Sequence, residues 1–424
     1  MIASNLLRVA ALVDLPRSPQ AGGHVKCWER LAAAAAHTNL PLDLTVYFSG
    51  SAPDEHLAPH VRLRHLPPVF STARLKFLPY VPDHTDLSPY HFQLARELGN
   101  YDVIHTTDGF FAFAQTAERI HRTTGIPLTT SFHTDTPSYT RIFTRQTIDR
   151  WFHSLPWLRR RLNESWKIPD RQGDIMQRKL EQHVEQCSYA LVTRPEDHIL
   201  TETRLGAARV QHLRLGVDKE MFNPGRNDTA RIRQAYEVAP GDLMALFVGR
   251  VDIGKNIHVL AKAMEKLINK GVALHLIVAG TGPAMDDVRR HLGEHASLPG
   301  FIDPQELARL YASVDLLALP SEVEIRSMAG VEAIASGCPV LVSQKSGITE
   351  LFNHTSAMQP VDDGTYDWTQ ALAAFAADPQ KRAAMRAAAI DFSQHHLASW
   401  QEVLAQDIFP IWRAAAGKTQ RKAA

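Results

Sequence analysis

Two glutamates, Glu324 and Glu332, stand with seven residues between them in the run SEVEIRSMAGVEAIASG, residues 321–337. Two cations, Arg250 and Lys255, share the run FVGRVDIGKN, residues 247–256, and His133 lies in SFHTDTPSY, residues 131–139. Carboxylates accept hydrogen bonds from hydroxyls, so one glutamate could hold hydroxyls beside a bound phosphate and the other a ribose diol. Arginine offers phosphate oxygens a planar fork and lysine a mobile point charge. Together they suit a diphosphate leaving group, on which negative charge grows as its bond breaks. Each feature alone has an ordinary alternative: solvated surface carboxylates, two solvated loop cations, a histidine with a structural role at a strand end.

These residues need elements to hold them. The apolar run 314–319 (VDLLAL) predicts a buried strand that Pro320 ends, because proline cannot donate to a sheet ladder. Met328 to Ser336 is helix-tolerant, Gly337 suits the position after a helix, and 339–343 is again strand-like. The unit is β–loop–α–β, with Glu324 in the loop and Glu332 about one turn inside the helix. At such a junction the unpaired N–H groups and dipole of the helix favour an anion. Arg250 and Lys255 likewise follow a predicted strand, 244–248, where Gly249 permits a tight turn.

Strand-like and helical runs alternate along almost the whole chain, predicting a doubly wound α/β fold. Strands are expected near 7–13, 44–48, 103–105, 128–132 and 190–193 in the first half. After Phe222-Asn223-Pro224-Gly225 the pattern restarts. Ile257, Leu260, Ala261, Met264, Leu267 and Ile268 then repeat at helical spacing until Gly271, and Leu274–Ala279 forms a strand. Asp303, Pro304 and Glu306 read as N-cap, N1 proline and N3 carboxylate, a capping box. With 424 residues, two domains are expected: 1–222, with a C-terminal helix at about 400–415 packing back onto it, and 223–399.

A formal net charge of +1 argues against a nucleic-acid partner. Cys27, Cys187 and Cys338 lie far apart in apolar segments, which suits buried thiols in a reduced cytosolic chain. The twenty-one histidines show neither HExxH nor a paired ligand spacing, so no metal is expected. The start MIASNLLRVAALVDLP lacks the pattern of a cleaved leader, and no apolar run approaches the roughly 20 residues that span a bilayer. The first predicted strand leads into VDLPRSPQAGG without GxGxxG, against a dehydrogenase. Gly280-Thr281-Gly282-Pro283 fails the same fingerprint, with Met285 at its sixth position and no amide on Pro283. It fits a tight turn or a nucleotide contact. Gly22 and Gly23 allow backbone to approach a phosphate or sugar, or simply turn a loop.

Residues 141–171 hold eight Lys/Arg against three Asp/Glu, with Trp151, Phe152, Trp157 and Trp166 interleaved and Arg159, Arg160 and Arg161 contiguous. That mix suits a segment lying on anionic lipid. Aromatics packed inward with solvated arginines outside are the alternative.

Pro-Ser, Glu324, seven residues, Glu332, a small-residue helix and Gly-Cys-Pro-Val resemble the donor-site motif of retaining GT-B glycosyltransferases, glycosyltransferase family four. Gly249-Arg250 with Lys255-Asn256, Gly280-Thr281-Gly282-Pro283, Gly300-Phe301-Ile302, the Gly22-Gly23 loop, His133-Thr134-Asp135 with Pro137 and Tyr139, and Gly216-Val217-Asp218 with Phe222 and Pro224 match further segments in order. The chain departs from the family where Ile325-Arg326-Ser327 replaces Thr-Phe-Gly and where Gly254 replaces a glutamate.

The resemblance implies two Rossmann-like domains facing a deep cleft, and a hexose moved with retention from GDP-mannose or a UDP-hexose to a lipid-linked or saccharide acceptor. It implies that Arg250 and Lys255 stabilise the leaving diphosphate, Glu324 and the backbone of Ile325, Arg326, Ser327 and Met328 orient the sugar, and Glu332 holds the ribose. Phe301 and Ile302 would meet the base through their backbone, Gly249 and Gly282 would shape the donor loops, and His133 would lie near the reacting carbon. The nucleotide sugar is then a substrate and no cofactor or metal is required. The expected location is cytoplasmic, peripheral on the inner membrane face. Rival readings are a nucleotide-sugar epimerase or hydrolase of the same fold, or a binding protein whose donor site has decayed.

Overall fold

The computed structural model describes residues 6–18, 21–74, 85–322 and 327–422. The chain divides into two compact units, Met1–Arg214 with Trp400–Ala424, and Leu215–Ser399.

In the first unit the strands are β1 (Leu7–Pro16), β2 (Leu42–Ser49), β3 (Glu55–Ala58), β4 (Val61–Leu66), β5 (Val103–Thr106), β6 (Leu128–Ser131), β7 (Tyr189–Val192) and β8 (Val210–His212). Among the described residues they form one sheet in the order β3-β4-β2-β1-β5-β6-β7-β8, parallel except where β3 runs against β4. Val9–Val13 are buried on both faces of the sheet, which is why β1 reads as an unbroken apolar run. Residues Trp400–Ala424 belong to this unit: Arg214 pairs with Asp407 at 2.8 Å, and Trp412 packs against Trp28 and His105.

The second unit contributes β9 (Gly216–Val217), β10 (Leu243–Val248), β11 (Leu274–Ala279), β12 (Ala296–Gly300), β13 (Leu316–Leu319), β14 (Val340–Ser343), β15 (Met358–Val361) and β16 (Ala398–Ser399). Six of them form a parallel sheet in the order β12-β11-β10-β13-β14-β15, and β9 pairs with β16. The helix Ile257–Ile268 buries Leu260, Met264 and Leu267 on one face of this sheet, each worth roughly 1.5–3 kcal/mol. The helix Pro304–Ser313 packs Leu310 and Tyr311 into the core on the other face. Asp303 caps it, accepting from the amides of Gln305 and Glu306 at 2.9 and 3.2 Å. Glu306 departs from the expected box and pairs with Arg231 and Arg309 at 2.9 and 3.1 Å.

The division falls earlier than the break expected after Phe222. Leu215, Val217 and Phe222 are buried in the second unit's core, where Phe222 meets the Tyr311 ring edge-on at 5.9 Å. Turn residues at 223–225 suggested a linker, but burial of the apolar residues before them places these with the second core.

Each sheet reverses its direction of growth once. In the first unit this happens between β1 and β5, in the second between β10 and β13. Ligands of open α/β sheets bind outside the carboxyl ends of the strands at such points.

Candidate functional site

In the second unit the carboxyl end of β10 leads into Gly249 and a turn capped by Asp252, whose Oδ1 accepts from the Lys255 amide at 3.1 Å. Asp252 is 3% exposed, and the Arg250 guanidinium lies 3.5 Å from its Oδ2. Asn256 adopts φ 52°, a left-handed conformation that asparagine tolerates, and opens the helix Ile257–Ile268. Its side-chain amide donates to Glu322 Oε1 at 2.8 Å, and Ser321 Oγ donates to the Gly254 carbonyl at 3.4 Å. The loops after β10 and β13, on either side of the switch point, are thereby tied together. Lys345, after β14, extends the tie by pairing with Glu322 at 3.2 Å and Asp363 at 2.7 Å.

Behind this loop the turn after β11 is packed against it. A Cβ on Gly280 would lie 1.8 Å from the Gly249 carbonyl oxygen, and one on Gly282 would lie 2.3 Å from that of Val251. Both glycines also have positive φ, 150° and 159°. The Gly280-Thr281-Gly282-Pro283 glycines are therefore required by loop-on-loop contact. The Val251 amide donates to Thr281 O at 2.9 Å, and the Gly280 amide to Gly300 O at 2.8 Å. Phe301, 47% exposed, and half-buried Ile302 follow directly.

Ser327 begins the helix Met328–Ala335, its Oγ accepting from the Gly330 amide at 3.3 Å. Glu332 lies past the first turn of that helix and accepts from the Tyr311 hydroxyl at 3.3 Å. Burial, reinforced by Glu332, holds that hydroxyl well above its usual pKa, so it stays a donor. Glu324, Ile325 and Arg326 lie outside the described residues. The loops carrying Gly249, Arg250, Lys255, Gly282, Phe301, Ile302 and Ser327 meet at one sheet edge, and Met328 and Glu332 lie on the helix that follows.

The first unit's switch point is built from different chemistry. Asp14, fully buried near the end of β1, accepts from the Phe113 amide at 3.0 Å and so stabilises the start of the helix Ala112–Thr124. Burial, and then Asp108, push its carboxyl well above the usual range. Gly22 precedes the helix Gly23–Ala36 with ordinary extended backbone, and nothing lies within 4 Å of where its Cβ would be.

His133, 8% exposed, follows β6 and stacks face to face with His24 at 4.6 Å. Trp28 Nε1 lies 3.3 Å from His133 Nε2 and Ser131 Oγ 2.7 Å from it. An indole only donates, so this Nε2 accepts and the neutral ring carries its proton on Nδ1. Ser131 in turn lies 2.9 Å from His105 Nε2, whose other nitrogen faces Thr129 Oγ1 at 2.9 Å. Burial lowers the His105 pKa to about 3, so a neutral ring completes this donor chain.

Asp135, following His133 and Thr134, caps the helix Thr136–Trp151 through the Ser138 amide at 3.0 Å and pairs with Arg194 at 3.0 Å. Trp157, Arg159 and Arg160 sit on the short helix Pro156–Arg160, and Arg161 follows it, its guanidinium 5.1 Å from the Trp166 ring centre.

Sequence reasoning did not single out His24, Trp28, Asn256 as a tether, or Glu322. The first two had a signal: they directly follow the glycine pair four apart on one helix, so they share a face. Glu322 had none, because its partners come from separate loops.

Both units are Rossmann-like α/β units, the building block of GT-B glycosyltransferases. Residues 228–392, within the second unit, match the sequence pattern of the family described as glycosyl transferases group 1. Sulfoquinovosyl transferase SQD2 of Arabidopsis thaliana is 29% identical over 279 residues, covering 64% of this chain and 48% of the relative. The GDP-mannose-dependent alpha-(1-6)-phosphatidylinositol dimannoside mannosyltransferase of Mycobacterium tuberculosis is 33% identical over 155 residues, covering 36% of this chain and 40% of the relative. The matched stretch thus spans about half or less of these curated transferases. Sucrose-phosphate synthase from Thermosynechococcus elongatus superimposes with a TM-score of 0.69 at 17% identity, over 99% of this chain and 100% of that one, and shares the fold.

Proposed function

We propose that this chain is a retaining glycosyltransferase that moves a hexose from a nucleotide diphosphate sugar, GDP-mannose or a UDP-hexose, to a lipid-linked or saccharide acceptor. The observation that carries this reading is the Gly249–Lys255 loop at the second switch point, where two cations sit on a turn tied to the Ser321–Glu322 loop. Arg250 and Lys255 supply positive charge to the departing diphosphate in place of a metal ion. Glu332, held by Tyr311, takes the ribose diol, and Glu324 with the amides that follow it orients the sugar. His133 is assigned hydrogen bonds to the sugar near its reacting carbon. No carboxylate in the matched motifs is assigned as a nucleophile, so the acceptor attacks from the leaving-group side and its proton passes to the departing phosphate. The family match and the names of the aligned transferases support the reaction class. Replacing Arg250 and Lys255 together with alanine tests it: transfer must collapse, and unchanged turnover would refute the assignment.

The acceptor side is proposed to work at a membrane surface. Among the described residues no helix is long and apolar enough to cross a bilayer. Trp151, Leu155, Trp157 and Trp166 are 51%, 44%, 65% and 43% exposed beside Arg159, Arg160 and Arg161. Exposed tryptophans among arginines suit the headgroup level of anionic lipid, which gives a peripheral location on the inner face. Co-sedimentation with liposomes must rise with anionic lipid content; binding indifferent to that content would sink the idea.

A further inference from the structure

Asn256 stands at the N-cap position of the helix Ile257–Ile268, where an asparagine ordinarily turns its side-chain oxygen back to an amide of the first turn. Here it makes no such bond. Its backbone is left-handed, φ 52°, a conformation that glycine enters without steric cost and asparagine tolerates. The side chain instead reaches 66 residues along the chain to Glu322 Oε1, at 2.8 Å. A residue placed for a local cap serves a distant loop.

The second oxygen of Glu322 is engaged as well, by Lys345 Nζ at 3.2 Å, and the same ammonium lies 2.7 Å from Asp363. Asp363 also accepts from the Ser343 hydroxyl. One chain of polar contacts thus runs from the loop after β10 to those after β13, β14 and β15, four strands that are neighbours in the sheet. The Lys345 side chain is 62% exposed and that of Glu322 36%. Ion pairs so open to water add little to the stability of a fold. What they supply here is the relative position of loops.

The turn that carries the cations is held on both sides of Lys255. On one side Asp252 accepts from the Lys255 amide at 3.1 Å and lies 3.5 Å from the Arg250 guanidinium. On the other the next residue is Asn256, bound to Glu322, while the Ser321 hydroxyl donates to the Gly254 carbonyl at 3.4 Å.

We propose that Asn256 and Glu322 are positioning residues for the donor chemistry: their bond sets the Arg250–Lys255 turn against the loop after β13, so that both cations meet the charge that grows on the departing diphosphate. They act through the cations, and this role rests on the donor reading above. Charges placed for the transition state contribute less to the bound ground state, so loosening the tie lowers kcat and spares donor KM. Glu322 serves as an acceptor oxygen for Asn256, which a glutamine also offers.

Steady-state transfer by the full chain, with the nucleotide sugar that the parent consumes, tests this, and denaturant unfolding of each variant separates lost position from lost fold. Asn256→Gly keeps the left-handed turn and removes only the side chain. It is expected to lower kcat roughly ten- to a hundredfold, the cost of a small misplacement, with donor KM nearly unchanged. Glu322→Ala should do the same and stands in should Asn256→Gly fold poorly, while Glu322→Gln should recover most of the activity. Combining Asn256→Gly with Glu322→Ala should be no worse than the poorer single variant, because the same bond is lost in all three. Parent-like turnover by Asn256→Gly and Glu322→Ala, a defect confined to donor KM, or a Glu322→Gln as impaired as Glu322→Ala would overturn the role. A parent that consumes no nucleotide sugar fails the donor reading and this role with it. A parent silenced by Arg250→Ala with Lys255→Ala but indifferent to loss of the tie fails this role alone.

Discussion

The two switch points use glycine for opposite reasons. In the second unit Gly280 and Gly282 are held by backbone: carbonyl oxygens of the loop in front occupy the space a side chain would need. In the first unit Gly22 faces nothing within 4 Å and has a conformation that any residue adopts. Glycine at Gly280 and Gly282 serves architecture, whereas no such constraint acts on Gly22. The polar chemistry differs in the same sense. Around the second switch point stand Arg250 and Lys255, which suit phosphate. Around the first stand buried His105, whose ring burial keeps neutral, and a buried Asp14 carboxyl pushed up in pKa.

The largest expected effect follows from the cations. Losing one preorganised charge-stabilising donor costs about 10²–10³ in kcat, so Arg250→Ala with Lys255→Ala should abolish measurable transfer. His133→Ala, in the first unit, should cost less, about 10², in a steady-state assay of the same donor. If His133→Ala proved the more damaging, the division of labour between the units would be inverted.

Glycine substitutions sharpen the contrast in stability. Gly280→Ala should lose roughly 2–5 kcal/mol in denaturant unfolding, from backbone strain and the clash with the Gly249 carbonyl. Gly22→Ala should stay within about 0.5 kcal/mol of the parent yet lower transfer. Equal stability losses at both positions would mean that Gly22 is also architectural.

A pH dependence belongs to the first unit. His105 stands at about 3 in the fold against 6.5 for an exposed imidazole, so between these values the unfolded chain takes up a proton that the fold refuses. Stability should therefore fall as pH drops from about 6.5 toward 3, by about 1.4 kcal/mol for each pH unit. His183 runs the other way. Burial pushes it down, but Cys187 and the Glu118 carboxylate 2.6 Å away more than reverse this, to about 10. Its contribution is complete below 6.5 and fades as pH rises toward 10. Unfolding free energies across pH should show both limbs, and His105→Gln should flatten only the acid one. The smallest effect is expected from Glu332→Gln, a rise in donor KM with kcat nearly kept.

Much of this was legible in the sequence, and the exceptions share a cause. Strand 274–279, the helix at 257–268 and the Asp303 cap are local: propensity, periodicity and capping fix them within a few residues. The Arg250–Lys255 loop was legible because its position after a strand is local too. What escaped depends on contacts between distant segments. Asn256 meets Glu322, His24 meets His133, and Phe222 belongs to a core most of whose members lie far along the chain. The role of Gly282 could not be chosen from its own neighbours, because the carbonyl that requires it belongs to Val251.

At the second switch point Arg250 and Lys255 are proposed to handle a nucleotide diphosphate sugar. Incubating the chain with UDP-, GDP- and ADP-sugars and a saccharide or lipid-linked acceptor, with products weighed by mass spectrometry, tests it directly. One nucleotide class is expected to be consumed, a transferred glycoside to appear, and both signals to vanish when Arg250 and Lys255 are replaced by alanine. Consumption of no donor, or full transfer by that double variant, would contradict it.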